Sequence, residues 1–170
     1  MDKKKALSIR EVALFGVLGA LTFALQVAMA PLPNIEPVSL LVMIFAAVFG
    51  WRCLYPVYIF VVMEILFYGI SAWNIYYLYI WTVLALGAIL MRKSRNPFAW
   101  ALLSGVYGLM FGALCGIVDV FIGGFGYAVS KWVSGIPFDL LHCGGNFVIA
   151  LIMFNPLRNA MEKLYAGMKR

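Results

Sequence analysis

Apolar runs close to membrane-spanning length alternate with short polar breaks along the whole chain. Six runs stand out, at about 9–30, 38–49, 54–70, 73–91, 98–122 and 137–154. A helix needs roughly 20 apolar residues to cross a bilayer, fewer where tilt or thinning accommodates it. The pattern therefore predicts a single all-α domain, a polytopic membrane protein with six transmembrane helices. Pro31 and Pro33 close the first run, Gly50–Trp51–Arg52 the second, Arg92 to Pro97 the fourth and Pro156 the sixth. The second and third runs are short and meet in a tight turn. Leu157 to Arg170 reads as a polar helical tail.

The breaks differ sharply in charge. If they alternate across a bilayer, Lys3, Lys4, Lys5, Arg10, Arg52, Arg92, Lys93, Arg95, Arg158, Lys163, Lys169 and Arg170 share one side, and Lys131 alone takes the other. Lys/Arg bias in short loops sets orientation, so both termini are expected in the cytoplasm. A multi-pass membrane protein is the expected setting. The outer connections are then PLPNIEP (Pro31 to Pro37), the junction near Ser71, and the Gly-rich, amphipathic stretch Gly123 to Gly135. The last has two readings, a plain surface loop or a gate over a pocket.

Composition strengthens this picture. The 170 residues are 65% hydrophobic and 12% charged, more apolar than a soluble domain of this size needs. The net charge of +6 is gathered at helix ends, with no stripe to follow a phosphate backbone, which excludes a nucleic-acid reading. Cys53, Cys115 and Cys143 lie in or beside apolar runs without metal-ligand spacing and read as reduced packing residues. The first apolar run resembles a signal peptide, but it is too long and lacks a convincing cleavage site, so it is expected to be retained.

Several polar and small residues fall into patterns. Gly16, Ala20, Ala24 and Ala28 form a small-residue stripe on the first helix, and Ser104, Gly108, Gly112 and Gly116 form another on the fifth. Such stripes let helix backbones approach closely, inside the bundle or against another protein. Asp139, His142 and Asn146 share a face of the sixth helix. Asp139 is placed to fix the tautomer of His142, the single histidine, so a satisfied Asp–His pair competes with a ligand site.

Glu64 lies about 18 Å along its helix from Arg52, in the outer half of the membrane, where a carboxylate must be paired, protonated or ligand-facing. Asp119 nears the outer end of the fifth run, and Asn34 and Glu36 occupy the first outer loop. Asn74, Tyr77 and Trp81 recur on one face of the fourth helix, with Tyr68, Trp73 and Tyr76 at similar depth. The rings suit an interfacial belt or a cavity wall. Four acids against Lys131 and His142 favour a neutral or cationic ligand over an anionic one, which needs more Arg or Lys.

No GxxxxGK[ST], HExxH or GxSxG motif occurs, so an ATPase or a familiar hydrolase is not expected within this chain. Two other readings remain open. One is a self-sufficient ion-coupled carrier with Glu64 or Asp139 as proton site. The other is a small membrane enzyme using Asp139 and His142.

REVALFGVLGALTFALQ (Arg10 to Gln26), NIEPVSLLVMIFAAVFG (Asn34 to Gly50) and SGIPFDLLHCGGNFVIALIMFNPL (Ser134 to Leu157) resemble segments of the substrate-binding S components of energy-coupling factor (ECF) vitamin transporters. The architectural resemblance covers nearly the whole chain. It implies a non-enzymatic subunit with no cofactor of its own. Such a subunit captures a vitamin from outside and docks on a transmembrane coupling subunit that carries two cytoplasmic ATPase subunits. It then reorients in the membrane to release its ligand. The family's small-residue motif on the first helix matches Ala20 and Ala24, extended here by Gly16 and Ala28, and implies that this face meets the coupling subunit. The first-loop and final-helix segments look most similar to cobalamin-type members, with riboflavin, thiamine or pyrimidine types as alternatives. Depth and helix face nominate Glu36, Glu64, Asn74, Tyr77, Trp81, Asp119, Asp139, His142 and Asn146 for the pocket.

Overall fold

A computed structural model describes residues 6–31 and 36–169. Asn34, Lys3, Lys4, Lys5 and Arg170 lie outside the described residues. All regular structure among the described residues is helical: α1 (Ile9–Met29), α2 (Val38–Phe49), a single 3-10 turn (Gly50–Cys53), α3 (Leu54–Tyr68), α4 (Ala72–Met91) and α5 (Pro97–Met168). Four segments are long and apolar enough to cross a membrane: Ile9–Met29, Val38–Tyr68, Ala72–Met91 and Pro97–Met168.

Local chemistry sets the helix ends. Ser8 and Glu11 form a capping box at the start of α1: the Ser8 amide donates to Glu11 Oε2 at 2.9 Å, and the Glu11 amide donates to Ser8 Oγ at 3.2 Å. Ser71 and Asn74 cap α4 in the same way. Asn96 accepts from the Phe98 amide, and Pro97 opens α5, where its missing N–H costs nothing. Gly50 and Gly69 end α2 and α3 with φ of +59° and +79°, a backbone region that side chains disfavour.

The stretch 123–135 is not an open loop. It is helical apart from Gly124, whose φ of +83° and ψ of 173° break α5 into two arms. One glycine suffices because it adopts that conformation without steric cost, and the residues after it continue the helix. The arms fold back on each other. A Cβ at Gly108 would lie 2.8 Å from the His142 backbone, and one at Gly112 would lie 2.5 Å from Asp139 Oδ2. The Ser104–Gly108–Gly112 stripe is thus an internal packing seam, which lets the arms approach where lipid removes the usual hydrophobic drive. Trp100 and Phe154 stack across the same seam at 4.1 Å.

The stripe on α1 behaves differently. Gly19, one step round the helix, meets Ile59 and the Pro56 carbonyl of α3. Gly16 has open space beside it, Ala20 is half-buried, and Ala24 and Ala28 are exposed. α2 forms the centre of the bundle, buried along almost its whole length against α4 and α5.

One end of the bundle gathers the starts and turns that carry basic residues. Arg52 in the 3-10 turn and Tyr165 near the end of α5 both hold Glu11 Oε1 at the start of α1. Arg158 donates to the carbonyls of Arg92 and Ser94 at 2.6 and 2.7 Å and to Glu162 at 3.0 Å. Arg95 reaches Glu162 with 2.9 Å contacts to both oxygens.

Candidate functional site

Deeper in the bundle, away from the basic end, aromatic side chains of α3, α4 and α5 gather around Trp81, midway along α4. This indole is fully buried on α4. Around it stand Phe60 of α3, Tyr77 one turn earlier on α4, and Tyr107 and Phe111 of the first arm of α5, with ring centroids 5.3 to 6.2 Å away. Phe60 and Tyr77 meet it edge-on, an arrangement that ring quadrupoles favour, and Tyr107 and Phe111 are tilted against it. Phe111 in turn meets His142 at 5.0 Å.

Polar groups ring this box. His142 Nε2 lies 3.1 Å from Glu36 Oε1, which ties the connection before α2 to the second arm of α5. Asn146 donates to Ser39 Oγ at 3.1 Å, both residues buried. The Gly112 amide donates to Asp139 Oδ1 at 3.1 Å, a contact that the missing side chain of Gly112 permits. Gln26 of α1 donates to the Tyr77 hydroxyl at 3.3 Å. Glu64, Tyr77 and Tyr107 all lie within electrostatic range of Glu36.

The cluster is under-satisfied. Seven buried side-chain N or O atoms find no hydrogen-bond partner among the described residues, and five belong to Gln26, Glu64, Trp81, Tyr107 and Asp139. A buried polar group left unpaired costs about 1–3 kcal/mol, so a native fold retains a group of them for a reason. The orphans comprise the Trp81 indole N–H, the Tyr107 hydroxyl, the Gln26 carbonyl and one carboxyl oxygen each from Glu64 and Asp139. Together they offer donors and acceptors around flat apolar walls, which is what an inserted ring with polar edges requires.

No protein-family model, curated protein or solved structure matches this chain. The assignment of a site therefore rests on the chemistry of the cluster itself.

Of the nine residues that depth and helix face nominate, Glu36, Glu64, Tyr77, Trp81, Asp139, His142 and Asn146 converge here. Two are otherwise engaged. Asp119 is 2% exposed, receives Lys131 Nζ at 2.8 Å and accepts from the Tyr76 hydroxyl, forming a tie between the two arms of α5 and α4. Asn74 holds the Ser71 amide at 2.6 Å and so serves the start of α4. Conversely, Gln26, Ser39, Phe60, Tyr107 and Phe111 belong to the cluster although depth and helix face do not nominate them. Gln26 carries a readable signal, a lone amide within an apolar run. Tyr107 and Phe111 share a helix face at a spacing of four, but so do many rings in this chain. Among the described residues no group of His, Cys, Asp and Glu is arranged to hold a metal ion.

Open grooves also occur among the described residues of the basic end. Two of about 1070 and 920 Å³ flank the basic end, lined around Arg52. The closed cluster is the better candidate for a specific small-molecule site, because unpaired buried polar atoms demand a partner and empty surface volume does not.

Proposed function

We propose that this protein is the vitamin-capturing S component of an ECF-type importer, a six-span protein of a prokaryotic plasma membrane with both termini in the cytoplasm. ATP hydrolysis falls to two separate ATPase subunits, reached through a transmembrane coupling subunit. The observation that carries the capture reading is the buried box around Trp81 with its five orphaned polar atoms. It lies away from the basic end of Arg52, Arg95 and Arg158, toward the side that the Lys/Arg bias assigns to the outside. The exposed, unfilled side of α1 at Gly16, Ala24 and Ala28 supports the coupling role of that face.

The resemblance puts cobalamin first as ligand. The tightness of the box is a specific reason to weigh a single flat ring system beside it, of riboflavin, thiamine or pyrimidine type. Trp81 is already enclosed by neighbouring rings, and a corrinoid requires a far wider parting of the helices. Calorimetric titration of the detergent-purified full chain with cobalamin, riboflavin, thiamine and pyrimidines decides among them. Tight binding of one vitamin establishes capture and names the ligand, whereas no binding by folded protein sinks the reading and moves weight to an ion-coupled carrier using Glu64 or Asp139. For coupling, Ala24→Trp should abolish uptake in cells while leaving vitamin binding to the purified chain unchanged. Undiminished uptake would remove α1 from the interface.

A further inference from the structure

The two grooves at the basic end share Ala6 and Arg52 and so adjoin. Their linings differ in kind. The larger runs along α3 and is walled by Leu54, Tyr55, Ile59 and Val62, with Trp51 at its mouth. Trp51 and Tyr55 are more than half exposed, as rings at a membrane–water boundary are. The smaller is bounded by Arg10, Arg52 and Lys169, with Glu11 as its acid. Glu11 accepts from Arg52 and Tyr165, and among the described lining residues Arg10 and Lys169 add two further positive charges. Arg10 has a 3.3 Å contact to the Met168 carbonyl, and Lys169 sits 4.2 Å over the Tyr165 ring. Neither contact supplies an anion.

An apolar channel that opens into a cation-lined recess at interfacial depth matches one class of molecule. We propose that the two grooves together bind one anionic phospholipid, with its phosphate beside Arg10 and Lys169 and an acyl chain along α3. Basic recesses between membrane helices on the cytoplasmic side bind anionic headgroups for the same electrostatic reason. Assignment to the inner leaflet rests on the orientation proposed above; the site itself does not.

Native mass spectrometry of the detergent-purified full chain tests this, with phosphatidylglycerol and phosphatidylcholine of matched acyl chains as probes. Phosphatidylglycerol adducts should survive collisional activation that strips phosphatidylcholine. The double variant Arg10→Gln, Lys169→Gln should weaken phosphatidylglycerol retention by roughly fivefold for each cation removed, and leave phosphatidylcholine unchanged. Both positions are exposed, so folding is not at stake. Val62→Glu, in the apolar channel, should weaken both lipids. Equal retention of the two lipids, or a phosphatidylglycerol preference that survives the double variant, would overturn the proposal, as would competition by inorganic phosphate alone. Vitamin titration of the same samples keeps the two proposals separate, because lipid selectivity without vitamin binding removes the capture reading and leaves this site standing.

Discussion

The basic end of the bundle and the Trp81 cluster handle buried polarity in opposite ways. At the basic end, Glu11 is held by Arg52 and Tyr165, Glu162 by Arg95 and Arg158, and Arg158 also closes on two backbone carbonyls. Around the Trp81 cluster, buried carboxyl, amide, hydroxyl and indole groups have only part of their hydrogen bonds among the described residues. A satisfied network stiffens a structure. A partly satisfied one is a standing cost unless something else completes it. The contrast marks the basic end as structurally closed and leaves the Trp81 cluster as the candidate for recognition.

The largest expected effect comes from breaking the satisfied end. Arg158→Ala strands the Arg92 carbonyl, leaves the Ser94 carbonyl to the Trp100 indole N–H alone and strips Glu162 of one partner, which should cost about 3–5 kcal/mol. A fall in the thermal midpoint in detergent checks this. In the fraction that folds, vitamin affinity should be unchanged, because Arg158 and its partners lie at the far end from the Trp81 box.

Trp81→Ala attacks the candidate recognition cluster and should cost about 3–5 kcal/mol of stability from the cavity left behind. Calorimetry should show vitamin affinity falling by at least about 30-fold, as for the loss of a central buried anchor. Binding that survives would place the ligand elsewhere.

Glu64→Gln sharpens the comparison. It keeps the shape and removes the charge. A cationic vitamin should lose about tenfold or more in affinity, matching a charge-assisted bond of about 1.5–3 kcal/mol, whereas a neutral ring should bind within a few-fold of the parent. Equal affinity for a cationic ligand would exclude Glu64 from contact.

The smallest effect belongs to Arg95→Ala. Its pair with Glu162 is more than half exposed on the arginine side, and Glu162 keeps Arg158, so the change in stability should stay below about 1 kcal/mol. A larger shift in the thermal midpoint would show that the basic end acts as one cooperative network.

Much of the candidate site is legible in the sequence, because a helix places residues three, four and seven apart on one face. Asp139, His142 and Asn146 satisfy that rule and end up facing Glu36, Ser39 and the seam with the first arm. The rule fails for Asp119 and Asn74. Both sit at plausible depth, but one is claimed by Lys131 and Tyr76 and the other by the cap of its own helix. Depth along a helix does not reveal which partner lies across from it.

The stretch 123–135 shows the same limit in the backbone. Its glycines read as a connection, yet only Gly124 leaves the helical region, since the residues after it remain good enough helix formers once the arms pack.

What the sequence alone determined is the set of properties that depend on local or one-dimensional pattern. The chain is helical and apolar in membrane-length runs, its cations cluster in alternate breaks, and its acids and rings fall between them. Only the tertiary structure decided which small-residue stripe faces inward: Gly108 and Gly112 meet the second arm, whereas Gly16 meets open space. It also decided which buried acids are satisfied. The reason is that periodicity fixes the face of a single helix, whereas satisfaction and packing depend on what the other helices bring to that face. Residues 36 and 142, more than a hundred positions apart, meet only because Gly124 turns α5 back on itself.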